Sequence, residues 1–296
     1  MKKRFSMRTM VSAAVLLAGV LPVCGQSVST DTDNKTPLTT CEQVHIRFGH
    51  GSSTVRDEQD FTIPKSHVAR LEARPSENGG VRVQGWDRDE YQVKACKAAE
   101  NASDLSHISV SVNDGRVEVN GPSRESHWLV YLLIQAPHDA VLDLETKNGE
   151  IGLLDLNGKI DARTTNGPIE IERSGGEIHA KAENGPISFD GNSGSLRLET
   201  ENGPLSVRLT GDRWEGAGLE GRTENGPITL RVPREFTSGI HVESAGHSPF
   251  SCEASACNDA HGTAHGTWKS RHSGVDLGNG STVVRMSTVN GPVSIE

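Results

Sequence analysis

The chain of 296 residues carries 30 basic against 39 acidic side chains, a formal net charge of −9, with 34% apolar residues, 4% aromatic residues and 32 glycines. An acidic balance repels nucleic acid, and so few large apolar side chains argue against a thick globular core and for a thin, repetitive one. Length alone allows one or two domains.

Residues 1–25 have the parts of a secretory signal: basic Met1-Lys2-Lys3-Arg4, an apolar run from Val11 to Val20, and small residues near Gly25. Cleavage there is the expectation, with lipidation at Cys24 as the alternative. Removing Lys2, Lys3, Arg4 and Arg8 leaves 26 basic against 39 acidic residues, net −13. After cleavage no stretch reaches the ~20 apolar residues of a transmembrane segment, so the expected location is extracytoplasmic: periplasm, outer surface or medium.

Residues 26–41, rich in Ser, Thr and Asp, read as a disordered N-terminus. Residues 42–140 hold strand-like runs at Val44–Phe48, Val68–Ala73, Val81–Gly85, Tyr91–Ala95, Ile108–Val112, Val117–Val119 and Leu129–Ala136. They read as irregular strands forming an N-terminal cap on a more regular segment, and Asn78-Gly79-Gly80 echoes the later turns.

From 141 to 233 the pattern is regular. Leaving aside Asn279-Gly280, Asn-Gly recurs at Asn148, Asn157, Asn166, Asn184, Asn202, Asn225 and Asn290, at spacings of 9, 9, 18, 18, 23 and 65, and from Asn166 onward Pro follows each of these. Half-way points hold Ser174-Gly175-Gly176, Asn192-Ser193-Gly194 and Gly216-Ala217-Gly218, so the unit is one strand and one turn of about nine residues. Between turns apolar residues alternate, as in Ile160-Asp161-Ala162-Arg163-Thr164 and Ile187-Ser188-Phe189. That is the period of strands with one buried face.

The predicted fold is all-β: a right-handed β-solenoid, β-helix-like, with about 18 residues per coil and a meandering sandwich as alternative. In it Asn166-Gly167, Asn184-Gly185, Asn202-Gly203, Asn225-Gly226 and Asn290-Gly291 form a structural turn ladder. Thr164, Thr200 and Thr223 suit a parallel hydroxyl ladder interrupted by Ala182. Residues 234–280 read as a Gly-, Ser- and His-rich excursion, and 281–296 as a terminal coil returning to cap the stack.

Four cysteines remain after cleavage in a compartment that permits disulfides, and three pairings are possible. The short loop favours Cys252 with Cys257, leaving Cys41 with Cys96 to fasten the N-terminal segment. The competing use of Cys252 and Cys257 is a zinc site with His261 and His265.

Repeated Asn-Gly turns, the export signal and Gly85-Trp86-Asp87-Arg88-Asp89-Glu90 together resemble the bacterial putative-adhesin domain family of unknown function, over about residues 68–296. The resemblance implies a β-helix-like fold and an envelope location, with no catalytic motif. Residues 234–280 are the least family-like part.

Chemistry is sparse. Coil stacking would set Glu172 beside Asp190, Asp161 beside His179, and Lys181 beside Glu199, itself near Arg222. Only Glu172 with Asp190 qualifies as a carboxylate dyad. Glu183, Glu201 and Glu224 precede successive turns, where they solubilise or bind calcium weakly. No Walker loop, dinucleotide fingerprint or nucleophile elbow is present, so no cofactor is expected. The expected function is an exported, non-enzymatic scaffold or adhesin-like binder of an envelope protein or glycan. A carbohydrate-active enzyme and a metal-binding envelope protein are the alternatives.

Overall fold

The computed structural model describes residues 26–30, 38–48, 54–123, 127–245, 249–255, 257, 273–278 and 280–296. Its strands in chain order are β1 (Gln26–Thr30), β2 (Val44–Phe48), β3 (Val55–Pro64), β4 (Leu71–Ala73), β5 (Val81–Trp86) and β6 (Glu90–Ala99). A short helix α1 (Ala102–Ser106) precedes β7 (Ser109–Asn113), β8 (Arg116–Asn120), β9 (Trp128–Pro137), β10 (Leu142–Thr146), β11 (Ile151–Leu154) and β12 (Lys159–Thr164). Then come β13 (Ile169–Glu172), β14 (Glu177–Ala182), β15 (Ile187–Gly191), β16 (Ser193–Thr200), β17 (Leu205–Leu209), β18 (Glu215–Thr223) and β19 (Ile228–Arg231). The chain closes with β20 (Gly239–Ser244), β21 (Phe250–Cys252), β22 (Ser273–Leu277), β23 (Thr282–Thr288) and β24 (Val293–Ile295).

From β10 to β19 the chain alternates between two sheets. Sheet I has the order β22-β20-β23-β18-β16-β14-β12-β10-β4-β8-β7, and sheet II the order β21-β24-β19-β17-β15-β13-β11-β5-β9-β6-β3. Neighbours in the repeat are parallel and in register with the same position of the next repeat: Ile160 faces Ile178 and Ile178 faces Leu196 in sheet I, while Ile169 faces Ile187 in sheet II. Alternation produces this directly. Each strand sends every second side chain inward, and one shared core of Ile, Leu, Val and Ala fills the space between the sheets. Burying each such branched side chain contributes roughly 1.5–3 kcal/mol.

The turns hold the stack by three interlocked ladders. Each Asn amide donates to the Asn side-chain oxygen one level back: Asn148 to Asn78, Asn166 to Asn148, Asn184 to Asn166, Asn202 to Asn184, Asn225 to Asn202 and Asn290 to Asn225, at 2.8–3.0 Å. The glycines stack so closely that a Cβ on Gly185 would lie 2.0 Å from Gly167 O, and one on Gly291 1.8 Å from Gly226 O. Backbone cannot step aside there as a side chain could. Threonines do not bond one another as the predicted ladder had it. Their hydroxyls instead donate to turn-glycine carbonyls: Thr200 to Gly185 O at 2.8 Å, Thr223 to Gly203 O at 2.9 Å and Thr288 to Gly226 O at 3.0 Å. A glycine carbonyl aimed at the turn interior is a better acceptor for a buried hydroxyl than another hydroxyl at strand spacing.

Both ends depart from the pattern expected of the sequence. Leu71 pairs with Leu142 and Val81 with Ile151, so residues 71–86 are a regular level of the stack and not part of an irregular cap. A long insertion separates that level from the next in sequence. It contributes β6 and β9, antiparallel to each other, with β9 parallel to β5 and β3 added outside β6. The unanticipated β3 makes the sheet edge, and Arg56, Asp57, Glu58 and Asp60 along it discourage pairing with another chain. Residues 26–30, within the segment expected to be disordered, form a strand antiparallel to β2. Val44, Ile46 and Phe48 of β2 cover Leu129, Tyr131 and Leu133 on the outer face of sheet II, forming a second small core. At the other end the terminal strands do not cap the stack. β23 sits between β18 and β20, and β24 between β19 and β21, so strands of the 234–280 excursion form the outermost level.

Candidate binding face

The outward positions of sheet I fall into rows that cross the strands. In register, Arg116, Glu72, Asp143 and Asp161 are followed by His179, Arg197, Glu220 and Arg285, and the row ends at His241 and Asp276. Two residues along each strand runs a second row, Glu145, Arg163, Lys181, Glu199 and Arg222. The expected adjacencies of Asp161 with His179 and of Lys181 with Glu199 and Arg222 are therefore cross-strand neighbours. The extension beyond Asp143 through Glu72 and Arg116 has no signal in the sequence, because it depends on the pairing of β4 with β10 across the insertion.

Most of these charges are matched. Arg163 bonds Asp161 at 2.5 Å and Asp143 at 3.0 Å. His179 lies 3.3 Å from Glu199 and 3.8 Å from Asp161, and Arg197 bonds Glu199 at 2.7 Å. Lys181 reaches Glu201 at 3.1 Å, and His241 reaches Asp276 at 2.7 Å. The Arg197 hydrogen bond holds the Glu199 carboxyl below its usual range against the opposing effect of burial, with His179 assisting. Arg70 does the same for Glu72. Pairs this exposed are screened by solvent and contribute little to folding.

A groove of about 770 Å³ follows the first row across β10, β12, β14, β16, β18 and β23. Small residues, Ser195, Ala217 and Gly218, line it at the starts of β16 and β18. The register between β16 and β18 shifts at Ser193/Ser195, and Gly194, Gly216 and Gly218 take φ of 111°, 130° and 139°, values that L side chains rarely adopt. Within the groove Asp161 keeps one carboxylate oxygen, Oδ1, buried without a hydrogen-bond partner among the described residues. Arg285, at the far end, donates from Nη1 to Thr282 O and forms no ion pair among the described residues.

Sheet II presents a different surface. Ser188, Ser206, Thr229, Ser294 and Ser251 form an in-register hydroxyl row, flanked by Asp190, Arg208 and Arg231. Glu172 and Asp190 are neighbours in register. Arg208 bonds Asp190, whereas Arg173 gives its hydrogen bonds to Asp155 at 2.8 and 3.1 Å and lies 3.9 Å from Glu172. The carboxyl raised by its surroundings is Glu170, through burial and then the nearby Glu150, beside nearly buried Arg82.

Both cysteine pairs are disulfides. Cys41–Cys96 spans 5.3 Å between Cα atoms and ties the β2 segment to β6, and Cys252–Cys257 spans 5.9 Å. Those two thiols are thus engaged with each other, while His261 and His265 lie outside the described residues. Among the described residues no group of three or more His, Cys, Asp or Glu side chains is arranged to hold a metal ion. Among the same residues no helix is long and apolar enough to cross a membrane.

The Toastrack DUF4097 family matches residues 24–238, nearly three quarters of the chain. The chain belongs to this family. The match reaches back over the β2 segment and ends at residue 238, within the 234–280 segment. No curated protein matches the sequence. The solved structures that match include the following three. A putative cell adhesion protein from Clostridium sporogenes shares 10% identity at a TM-score of 0.30, covering 81% of this chain and 99% of its own. A putative adhesin from Bacteroides fragilis shares 11% at 0.29, covering 84% and 100%. A putative lipid binding protein from Parabacteroides distasonis shares 8% at 0.31, covering 81% and 97%.

Proposed function

We propose that the chain is an exported, non-enzymatic scaffold of the bacterial envelope, a right-handed β-solenoid of about 18 residues per coil whose sheet I face binds a partner in the manner of an adhesin. The observation that carries this reading is the row of ionisable side chains from Arg116 to Asp276, continuous across the sheet and backed by a rigid ladder-locked core. Such a row specifies position and orientation of a partner while adding little to folding. Two disulfides and the signal-like first 25 residues support an extracytoplasmic site of action. The non-enzymatic reading is supported by Glu199, whose hydrogen bond from Arg197 favours the ionised form and opposes proton donation.

The test is pelleting of the purified, oxidised chain with isolated bacterial envelopes. The triple variant Arg197→Ala, Glu220→Ala, Arg285→Ala is expected to lose co-sedimentation, and Arg208→Ala with Arg231→Ala on sheet II to retain it. Equal binding by both variants, or none by the parent, refutes the assignment of the face.

A further inference from the structure

The groove on sheet I has a lining whose chemistry narrows the partner. Its basic groups are Arg70, Lys159, Arg197 and Arg285, and its acidic groups are Asp143, Asp161, Glu177 and Glu220, so the formal charges cancel. They are also interspersed. A polyanion would meet Asp143 and Asp161 within the same track as Arg197, and a polycation would meet Arg197 and Arg285 after passing the aspartates. Like-charge contacts of that kind are penalised.

Backbone capture is excluded as well. The groove overlies interior strands, each paired on both sides, whereas sheet I ends at β7 and β22. An extended peptide laid in the groove would find no unpaired edge to join, and its own amides would go unmatched. What the groove does offer is side-chain donors and acceptors repeated at the strand spacing of about 4.8 Å, over five intervals or roughly 24 Å. In its middle the Asp161 carboxylate, 38% exposed, accepts from Arg163 through Oδ2 and has lone-pair capacity for a further donor. At one end the Arg285 guanidinium forms no ion pair among the described residues. Its lining at β16 and β18 includes the small residues Ser195, Ala217 and Gly218.

The geometry points to a neutral polysaccharide strand as the occupant, lying across β10 to β23 with its hydroxyls donating to Asp161 and Glu220 and accepting from Arg197 and Arg285. Hydroxyls supply both roles at close spacing and carry no charge to be repelled. This rests on the reading of sheet I as the binding face, and goes beyond it by naming the chemistry of the ligand.

The experiment uses the full exported, oxidised chain on an array of neutral, anionic and amino-sugar oligosaccharides of graded length, with hits measured by calorimetry. Neutral oligosaccharides long enough to span several strands are expected to bind, short ones to bind more weakly. Ser195→Trp places a large side chain at an exposed position of the groove lining and is expected to abolish binding, while Ser206→Trp on sheet II leaves it unchanged. Asp161→Asn keeps the shape and is expected to weaken binding by about tenfold, the scale of one charge-assisted hydrogen bond. Thermal unfolding of each variant checks that the fold is intact. Absence of binding to any neutral glycan overturns the inference, as does binding that survives Ser195→Trp. If Ser195→Trp abolishes envelope pelleting while no neutral glycan binds, the sheet I face stands and the glycan assignment fails. If neither assay responds, both fail.

Discussion

Ala182 is the one position in the repeat where the inward threonine is missing, and restoring it gives a stability change whose sign and size come from the neighbouring levels. Thr200 donates to Gly185 O at 2.8 Å, fifteen residues back, and the same offset from residue 182 falls on Gly167 O. Ala182 is fully buried in line with Thr164 and Thr200, which the same row accommodates. Ala182→Thr should therefore give Gly167 O a buried hydroxyl partner. One such bond contributes about 1 kcal/mol net. The added methyl contributes ~0.8 kcal/mol if it is buried, less what the stiff β-branched side chain loses in rotamer freedom. The expected gain is about 1–2 kcal/mol, and each kcal/mol raises Tm by roughly 2–4 °C in a domain of this size. Thr200→Val is the reciprocal measurement. It keeps the shape and leaves Gly185 O buried without its donor, at a cost of about 1–3 kcal/mol. Both are read by urea and thermal unfolding of the oxidised chain. A neutral Thr200→Val would refute the claim that these hydroxyls bind the stack together. A destabilising Ala182→Thr would show that residue 182 is small because the row has no room there.

The disulfides should differ in worth according to the loops they close. Cys41 and Cys96 are 55 residues apart, for which loop-closure entropy gives about 4 kcal/mol, against about 2 kcal/mol for the separation of 5 between Cys252 and Cys257. Cys41→Ser with Cys96→Ser should thus lower the denaturant midpoint more than the Cys252→Ser, Cys257→Ser pair, and the reverse order would contradict the chain-entropy account. Glu170 should impose a pH dependence of its own. Burial and Glu150 raise its folded pKa despite Arg82, so the folded state holds this proton more tightly than the unfolded chain does. The group therefore costs stability above its folded pKa, and that cost is relieved as pH falls through the folded value toward the unfolded ~4.3. Glu170→Gln is expected to raise Tm near neutral pH, with the difference from wild type vanishing toward pH ~4. A difference that grows on acidification would show that the Arg82 contact outweighs burial.

Much of the architecture was legible in the residues because both of its signals are local. Alternation at period two puts Ile160, Ala162 and Thr164 on one face without reference to any partner, and Asn-Gly at 18, 23 and 65 residues marks the positions that must stack. Even the 65-residue gap to Asn290 was readable, since its amide bonds Asn225 as the spacing implied. What the spacing does not carry is the order of levels in space. Asn290 comes after the excursion in sequence, yet its strands pair directly with those of the repeat, leaving β20 and β21 outside them. Either order satisfies alternation, and only the pairing of β18 with β23 decides between them. The N-terminal level was hidden for the same reason. Leu71 and Leu142 are joined across an insertion with no repeat signal, so the charges at Glu72 and Arg116 gave no sign of belonging to the row that continues at Asp143. The groove depended wholly on tertiary structure. Gly216-Ala217-Gly218 reads as an ordinary turn in sequence, and joins the groove lining only because β18 pairs with β16 through a one-residue register shift, the other four of the five extra residues between Asn202 and Asn225 lying before β18. Sequence by itself determined which side chains face in and which face out, because that is a property of one strand. Tertiary structure decided which outward side chains meet, because that is a property of register between strands distant in the chain.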